Sequence, residues 1–229
     1  MATTKRGLWE SVYNAIVNSR TLTVRTVTYL PRERVHVDRI LEAFLDAAGM
    51  RALKNKLSYC VHELAGNAKR ANTKRLFFQE KNFDIDDEKD YAAGMVEFKR
   101  EMVERVDHYL EKLRAENLYV KFQFRKVRNG VRICVRNNTT ITMEEERRIR
   151  EKQAIAARYN CLADAYAITE DGTEGAGLGI VMMLFMLKNL GFGSDAFSVR
   201  AAGGETVATL SLITPYAVSG GMPPGAETA

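Results

Sequence analysis

The amino-acid sequence predicts an α+β domain, a two-layer sandwich in which helices cover one face of a mixed, mostly antiparallel sheet. Segments with helical and strand periodicity follow one another without the regular strand–helix–strand repeat of a doubly wound sheet. The run RKVRNGVRICV, residues 125–135, places Asn-Gly between two alternating segments, which is a strong hairpin signal. The 229 residues are 46% hydrophobic, which is enough for one sizeable domain with its own core.

Residue spacing predicts four elements in the first third of the chain: a helix within 1–19, a strand within 20–31, an amphipathic helix over 37–45 and a helix from about residue 54 onward. The strand is rich in Thr and Val and ends at a proline, and Gly49 is the stop signal of the amphipathic helix. The continuation of the last helix, KRLFFQE, fits either a final helical turn or a short strand.

The rest of the main domain, 20–214, contains four further predicted parts: a long helix in an insertion at about 82–117, the Asn-Gly hairpin, a polar helix over 142–166, and an apolar helix followed by a terminal hairpin. Apolar residues recur at helical spacing from Tyr91 to Leu113. A capping-box pattern, Thr142-x-x-Glu145, opens the polar helix. Residues 215–229 are predicted to form a flexible tail.

Composition argues against several classes of protein. Three cysteines without C-x-x-C spacing argue against a disulfide scaffold or a structural zinc site and favour a reducing compartment. The N-terminus lacks the apolar core of a signal peptide, and the most apolar run, residues 180–187, is too short to span a bilayer. We therefore expect a cytoplasmic protein with no membrane partner. The net charge of +5 is a mild excess, so nucleic acid is not a favoured partner.

The segment YCVHELAGNAKRANTKR, residues 59–75, carries the first chemical signal. Glu63 and Asn67 are four residues apart, so they share one face of the predicted helix. Carboxylate and carboxamide oxygens stacked in this way suit a hydrated Mg²⁺, and the carboxylate can also act as a general base. Four neighbours supply positive charge: Lys69, Arg70, Lys74 and Arg75. Taken alone, the pair is also typical of an ordinary exposed helix face.

The second signal is GAGLG, Gly175 to Gly179, which opens the apolar helix. Small residues at a helix N-terminus let backbone N–H groups approach a phosphate, where the helix dipole favours negative charge. The loop does not follow a strand as a Rossmann fingerprint does, and it lacks the Gly-Lys-Ser/Thr of a P-loop. These two nucleotide-binding folds are therefore excluded. A glycine loop alone remains weak evidence, because a plain loop has the same composition.

Together the two signals resemble a known family. ELAGNAKRA resembles the N box of the GHKL (histidine kinase-like) ATPase superfamily, and GAGLG resembles its second glycine box. Their spacing and the closing strand GGETVATLSLIT extend the resemblance over residues 21–214. It implies a Bergerat-type fold that binds ATP and Mg²⁺, nearest to the stand-alone anti-sigma serine kinases and the ATP-binding domains of histidine kinases. It implies Glu63 as catalytic base, Asn67 as magnesium ligand, and further nucleotide contacts from Arg70, Gly175, Gly177, Leu178, Gly179 and Thr206.

The chain departs from the family pattern at the end of the strand GVRICVRN. The family has Asp-x-Gly-x-Gly there, and its aspartate accepts a hydrogen bond from the exocyclic amine of adenine. Here Asn137 stands in the aspartate position, and Asn138 to Ile141 contain no glycine. A carboxamide oxygen can accept the same bond without the carboxylate's charge, so we expect adenine binding to weaken by about 1–2 kcal/mol.

Several alternatives stay open at this stage. His-Glu-Leu also resembles a phospho-acceptor motif, but the arginine and proline expected after it are missing, so His62 is predicted to be structural. The chain is then either an ATP·Mg-binding signalling domain, as a protein kinase or slow ATPase, or a nucleotide-independent interaction module with a degenerate site. A nucleic-acid role through residues 69–75 ranks third. The apolar stripe of the insertion needs a partner surface, either the domain's own flank or a second copy in a homodimer.

Overall fold

The computed structural model of the chain describes residues 5–159 and 178–214. Its helices are α1 (Lys5–Val17), α2 (Pro31–Ala47), α3 (Lys54–Lys81), α4 (Glu88–Glu104), α5 (Val106–Ala115), α6 (Met143–Arg158) and α7 (Leu178–Asn189). Its strands are β1 (Leu22–Thr26), β2 (Val120–Val127), β3 (Gly130–Asn137), β4 (Phe197–Ala202) and β5 (Glu205–Ile213). The predicted tail, 215–229, lies outside the described residues.

The strands form one sheet in the order β1-β2-β3-β5-β4, and each neighbouring pair is antiparallel. Side chains alternate between its two faces. On β3, Val131, Ile133 and Val135 are buried in the core beneath the helices, whereas Arg132 and Arg136 point to the opposite face. The predicted α+β two-layer sandwich is confirmed, and in the described part of the chain its sheet is antiparallel throughout.

Both predicted hairpins form, and glycine is required in each for a different reason. Asn129, with a φ of 63°, turns β2 into β3. A Cβ on Gly130 would lie 1.9 Å from the carbonyl oxygen of Leu212 on β5, so the close approach of these strands requires glycine. Gly203 and Gly204 join β4 to β5 with φ values of 60° and 77°, the left-handed pair typical of a type I′ turn.

The main core lies between the sheet and helices α1, α2, α3 and α7. Its fully buried aromatic side chains include Phe44 of α2 with Phe122 and Phe124 of β2. Val12 and Ala15 of α1 are buried in the same cluster. The N-terminal helix therefore packs on the domain's own core.

Helix α2 differs from its predicted start, helix α6 ends at Arg158 rather than at residue 166, and helix α3 includes a segment that the sequence left ambiguous. Helix α2 begins at Pro31 rather than residue 37, because proline suits the first helical position and Glu33 accepts a hydrogen bond from the Leu30 N–H (2.9 Å). Helix α3 includes the ambiguous KRLFFQE segment and continues to Lys81. It ends where Asn82 adopts a left-handed φ of 57°.

The insertion was expected to hold one long helix, but it contains two, α4 and α5, with a break at Arg105 (φ −124°, ψ 38°). Their apolar stripe packs on the end of α3 in a second core, whose buried members are Leu76, Phe77, Phe78, Tyr91, Met95, Phe98, Tyr109, Leu110 and Leu113. The stripe thus uses the domain's own flank as its partner surface. Val96 and Val103 lie exposed on α4, and a homodimer through the insertion remains a prediction.

Candidate functional site

Helix α3 presents the first part of the candidate site. Glu63, Asn67 and Arg70 follow one another at one-turn intervals and line the same cavity. Asn67 donates a hydrogen bond from Nδ2 to Oε1 of Glu63 (3.0 Å). Arg70 donates from Nη1 to Oδ1 of Asn67 (3.1 Å). The carboxamide therefore bridges a carboxylate and an exposed guanidinium group.

The N-terminus of α7 lies directly against Glu63. Leu178 begins this helix without lining the cavity, and the next residue, Gly179, does line it. A Cβ on Gly179 would lie only 2.0 Å from Oε1 of Glu63, so glycine permits the approach. Gly175 and Gly177, the other glycines of the predicted box, lie outside the described residues. The two sequence motifs therefore meet through Glu63 and Gly179.

Asn137 of β3 and Thr206 of β5 are paired across neighbouring strands and line the same cavity. Asn137 is 3% exposed. It donates from Nδ2 to Oδ1 of Asn72 (3.1 Å) and to Oγ1 of Thr139 (2.7 Å). Thr206 donates from Oγ1 to the carbonyl oxygen of Thr139 (2.7 Å). These four residues form one polar network at the base of the cavity.

The orientation of the Asn137 side chain follows from that of Asn72. Asn72 donates from Nδ2 to the main-chain carbonyl of Tyr119 (3.0 Å), so its Oδ1 faces Asn137 and Thr139 as an acceptor. Asn137 must meet that oxygen with its NH₂ group. Its own Oδ1 accepts no hydrogen bond from the described residues. That oxygen is the atom of Asn137 left for a ligand.

Helix α6 forms one wall of the cavity and is joined to α3 by largely buried ion pairs. Glu145, the third residue of the capping box opened by Thr142, pairs with Lys74 Nζ (2.8 Å) and Arg75 Nη2 (2.5 Å). Burial opposes ionisation of Glu145, but the hydrogen bond from Arg75 and the charges of Lys74 and Arg75 outweigh it. They lower the pKa of its carboxyl group to about 2. Two of the four cations predicted near Glu63 therefore share one carboxylate partner inside the protein.

Six of the nine predicted site residues line this cavity: Glu63, Asn67, Arg70, Asn137, Gly179 and Thr206. Its walls also include apolar side chains from several elements, among them Ala68, Ala71, Val135, Ile149, Phe197 and Val199. Arg148 and Lys152 of α6 add positive charge. An apolar cleft with a few convergent polar groups is typical of small-molecule and cofactor sites.

His62 is not among the residues that line the cavity. The hydroxyl of Tyr29 and Nδ1 of His62 share a hydrogen bond, and Nε2 bonds to Oδ1 of Asp38 (2.9 Å). Both ring nitrogens are thus engaged, and they join α3 to α2 and to the residues that precede it. This arrangement supports the structural interpretation of His62 over the phospho-acceptor one.

Two residues of the cavity region were missed by sequence reasoning, Asn72 and Glu145. Asn72 continues the inward row of Leu64 and Ala68 at four-residue spacing, so a polar residue on an apolar stripe was the signal that could have found it. Glu145 was predicted only as part of the capping box that opens the polar helix. No local pattern indicates that it also reaches Lys74 and Arg75, because that contact depends on tertiary packing.

Comparison with known proteins gives a relative without a described function. The chain is 38% identical over 202 residues to a protein of Treponema pallidum (strain Nichols) described as uncharacterized. The match covers 88% of this chain and 39% of that protein, so the chain spans about two fifths of the relative's length. No protein-family profile matches the chain. No solved structure matches it either.

Among the described residues, no helix combines the length with the apolar character that spanning a bilayer requires.

Proposed function

We propose that the chain binds ATP with Mg²⁺ in this cavity and acts in the cytoplasm as a signalling domain of the histidine kinase-like ATPase type. The observation that carries the proposal is that predicted site residues from three separate elements meet in one cavity. Glu63 and Asn67 of α3, Gly179 of α7 and Asn137 of β3 line one cavity although they are far apart in sequence. If the sequence resemblance reflects a shared fold, these residues must lie together. If the short motifs matched by accident, nothing would bring them together.

The polar network on β3 and β5 supports adenine as the base. Asn72 fixes Asn137 so that Oδ1 is left as an acceptor. The exocyclic amine of adenine can donate to that oxygen, whereas guanine would present an oxygen acceptor to it. Asn137 would then supply the acceptor that the family's aspartate supplies, without the charge.

The chain of contacts along α3 supports a magnesium-phosphate site. Asn67 offers a carboxamide oxygen, which Mg²⁺ accepts as a ligand, and the ion would take its other ligands from phosphates and water. That oxygen is held by the exposed guanidinium group of Arg70. Arg70 can therefore turn to a phosphate when the metal takes its place. Bound Mg²⁺ would neutralise the charge of the phosphates.

Glu63 is the proposed general base. Its carboxylate lies between Asn67 and the N-terminus of α7, which the family uses for phosphate binding. From there it would take the proton of an attacking hydroxyl or water as the γ-phosphoryl group is transferred and ADP leaves. A hydroxyl acceptor makes the domain a protein kinase, and water makes it a slow ATPase.

Calorimetric titration of ATP tests the proposal. We expect binding by the wild-type chain that needs Mg²⁺, and loss of that magnesium dependence in Asn67→Ala, since the substitution removes the oxygen ligand. Asn55→Ala is the matched control, because Asn55 is exposed at the start of the same helix. Identical titrations of the wild-type and Asn67→Ala chains would contradict the assignment of the metal site.

A nucleotide-independent interaction module is the second candidate. It is favoured by the internal contacts of these side chains, since Lys74 and Arg75 already pair with Glu145 and the NH₂ group of Asn137 already donates to Asn72 and Thr139. Absence of heat with ATP, ADP and GTP would support this candidate over the first.

A further inference from the structure

The face of the sheet turned away from the helices concentrates positive charge. Strand alternation places six basic side chains there: Arg25, Lys121, Arg125, Arg132, Arg136 and Arg200. Glu205 is the single carboxylate among the described strand residues of that face. Six cations less one carboxylate leave an excess of five, which equals the formal net charge of the whole chain, +5. The charges of the rest of the chain therefore balance.

Strand register arranges these cations in two rows. In the first row, cross-strand partners follow one another over all five strands: Arg25, Lys121, Arg136, Val207 and Arg200. With neighbouring strands about 4.8 Å apart, this row is about 19 Å long. Arg125 and Arg132 form the second row, four residues along the strands and about 13 Å away. Neutral polar side chains lie between the rows: Thr23, Gln123, Cys134, Thr209 and Ser198.

Four of the six cations lack a carboxylate partner in the described part of the chain. Arg132 and Arg200 are exposed and make neither a hydrogen bond nor an ion pair there. Arg25 bonds to the side-chain oxygen of Asn117, and Arg125 bonds to a main-chain carbonyl (3.2 Å). These interactions leave the four positive charges without a neutralising anion.

Glu205 neutralises part of the remaining charge. It pairs with Lys121 (2.9 Å) and Arg136 (2.6 Å) and accepts a hydrogen bond from the hydroxyl of Tyr119 (2.6 Å). Hydrogen bonds and charge from these groups outweigh burial and lower the pKa of its carboxyl group.

We propose that this open face of the sheet binds the phosphate backbone of double-stranded nucleic acid. Five of the six cations are arginines, whose planar guanidinium groups match phosphate oxygens with two hydrogen bonds. The hydroxyl and amide groups between the rows are further donors to phosphate oxygens. The surface lies on the opposite side of the sheet from the nucleotide cavity, so it does not depend on the function proposed there.

Other partners fit this face less well. A protein partner usually needs an apolar or aromatic anchor at the centre of its interface. Here Val207 is buried, and Val127 and Ile213 lie at the hairpin end of the sheet. Single strands bind through stacking on open aromatic rings. The ring of Tyr119, however, already lies under Arg25 (4.0 Å) and near Lys121 (5.1 Å).

Fluorescence anisotropy with a labelled DNA duplex of mixed sequence tests the proposal. The excess of five positive charges predicts that log K falls with log salt concentration with a slope of about −4.5, at about −0.9 for each neutralised phosphate. Arg132→Ala with Arg200→Ala should reduce the slope by about two. Glu205→Gln should steepen it by about one, because it removes the single negative charge that Lys121 and Arg136 share.

The matched control is Arg39→Ala with Lys56→Ala, which removes the same charge from two exposed helical residues. This pair should leave the slope almost unchanged. Equal effects of the two double variants would overturn the proposal. So would an absence of duplex binding at low salt, binding to polyglutamate as tight as to the duplex, or tighter binding to a single strand.

Discussion

At the scale of single residues, the buried neighbours of Asn137 explain why an asparagine stands at this position. Its neighbour Asn72 donates a hydrogen bond to the main-chain carbonyl of Tyr119, so the Oδ1 of Asn72 faces Asn137. A carboxylate at position 137 would place two acceptors against each other in a site that is 3% exposed. The carboxamide is therefore required by its buried neighbour, which the sequence motif alone does not reveal.

This explanation predicts that Asn137→Asp destabilises the fold. The new carboxylate would lose the hydrogen bonds to Asn72 and Thr139 and place an unpaired charge in the network, so we expect a loss of about 1–3 kcal/mol in the free energy of unfolding. Chemical denaturation at neutral pH measures it. Asn55→Asp is the control, since Asn55 is exposed at the start of α3 and its side chain makes no hydrogen bond with the described residues. Equal stability of the two variants would refute the explanation.

At the scale of elements, the contact between α6 and α3 couples the cavity to the stability of the domain. Glu145 is the third residue of a local capping box, and its carboxylate also forms ion pairs with Lys74 and Arg75. The folded pKa of its carboxyl group is about 2, below the ordinary value of 4.5. Its contribution to stability is therefore fully present above about pH 4.5 and is lost as the pH falls toward 2.

Glu145→Gln should therefore remove an acid-dependent part of the stability. At neutral pH we expect a loss of about 3–5 kcal/mol, because two largely buried cations lose their anion. The difference from wild type should shrink between about pH 4.5 and pH 2, as followed by denaturation at each pH. Glu146→Gln, which alters an exposed pair with Arg150 on the same helix, is the control. A difference that does not change with pH would contradict the assigned ion pair.

The insertion shows what local patterns predict well and what they miss. Helical spacing correctly identified most of the inward stripe from Tyr91 to Leu113, but Val106, which it also included, is exposed. It missed the break at Arg105, since neither glycine nor proline marks it and the spacing continues across it. The break lies beside a buried polar cluster around Glu101. The Glu101 carboxylate forms ion pairs with Lys81 (2.5 Å) and Arg105 (3.2 Å), and it accepts a hydrogen bond from the hydroxyl of Tyr109 (2.6 Å). Such contacts form only after the helices pack.

At the scale of the whole molecule, features that depend on local interactions were predicted from sequence patterns, whereas features that depend on contacts between distant residues were not. Alternation, turn residues and a capping box act locally, and they predicted the two hairpins and the start of α6. The convergence of Glu63, Gly179 and Asn137 was predicted through the family resemblance rather than through spacing. The basic face of the sheet was not predicted, because its cations are scattered along the sequence and meet only through strand register.

The most direct test of the account compares ATP and GTP, each with Mg²⁺, by calorimetric titration into the same wild-type preparation. The free Oδ1 of Asn137 predicts micromolar binding of ATP and binding of GTP that is weaker by at least about tenfold, or 1.4 kcal/mol. Equal affinities would contradict the assigned orientation of Asn137. Absence of binding by both nucleotides would contradict the claim that this cavity is a nucleotide site.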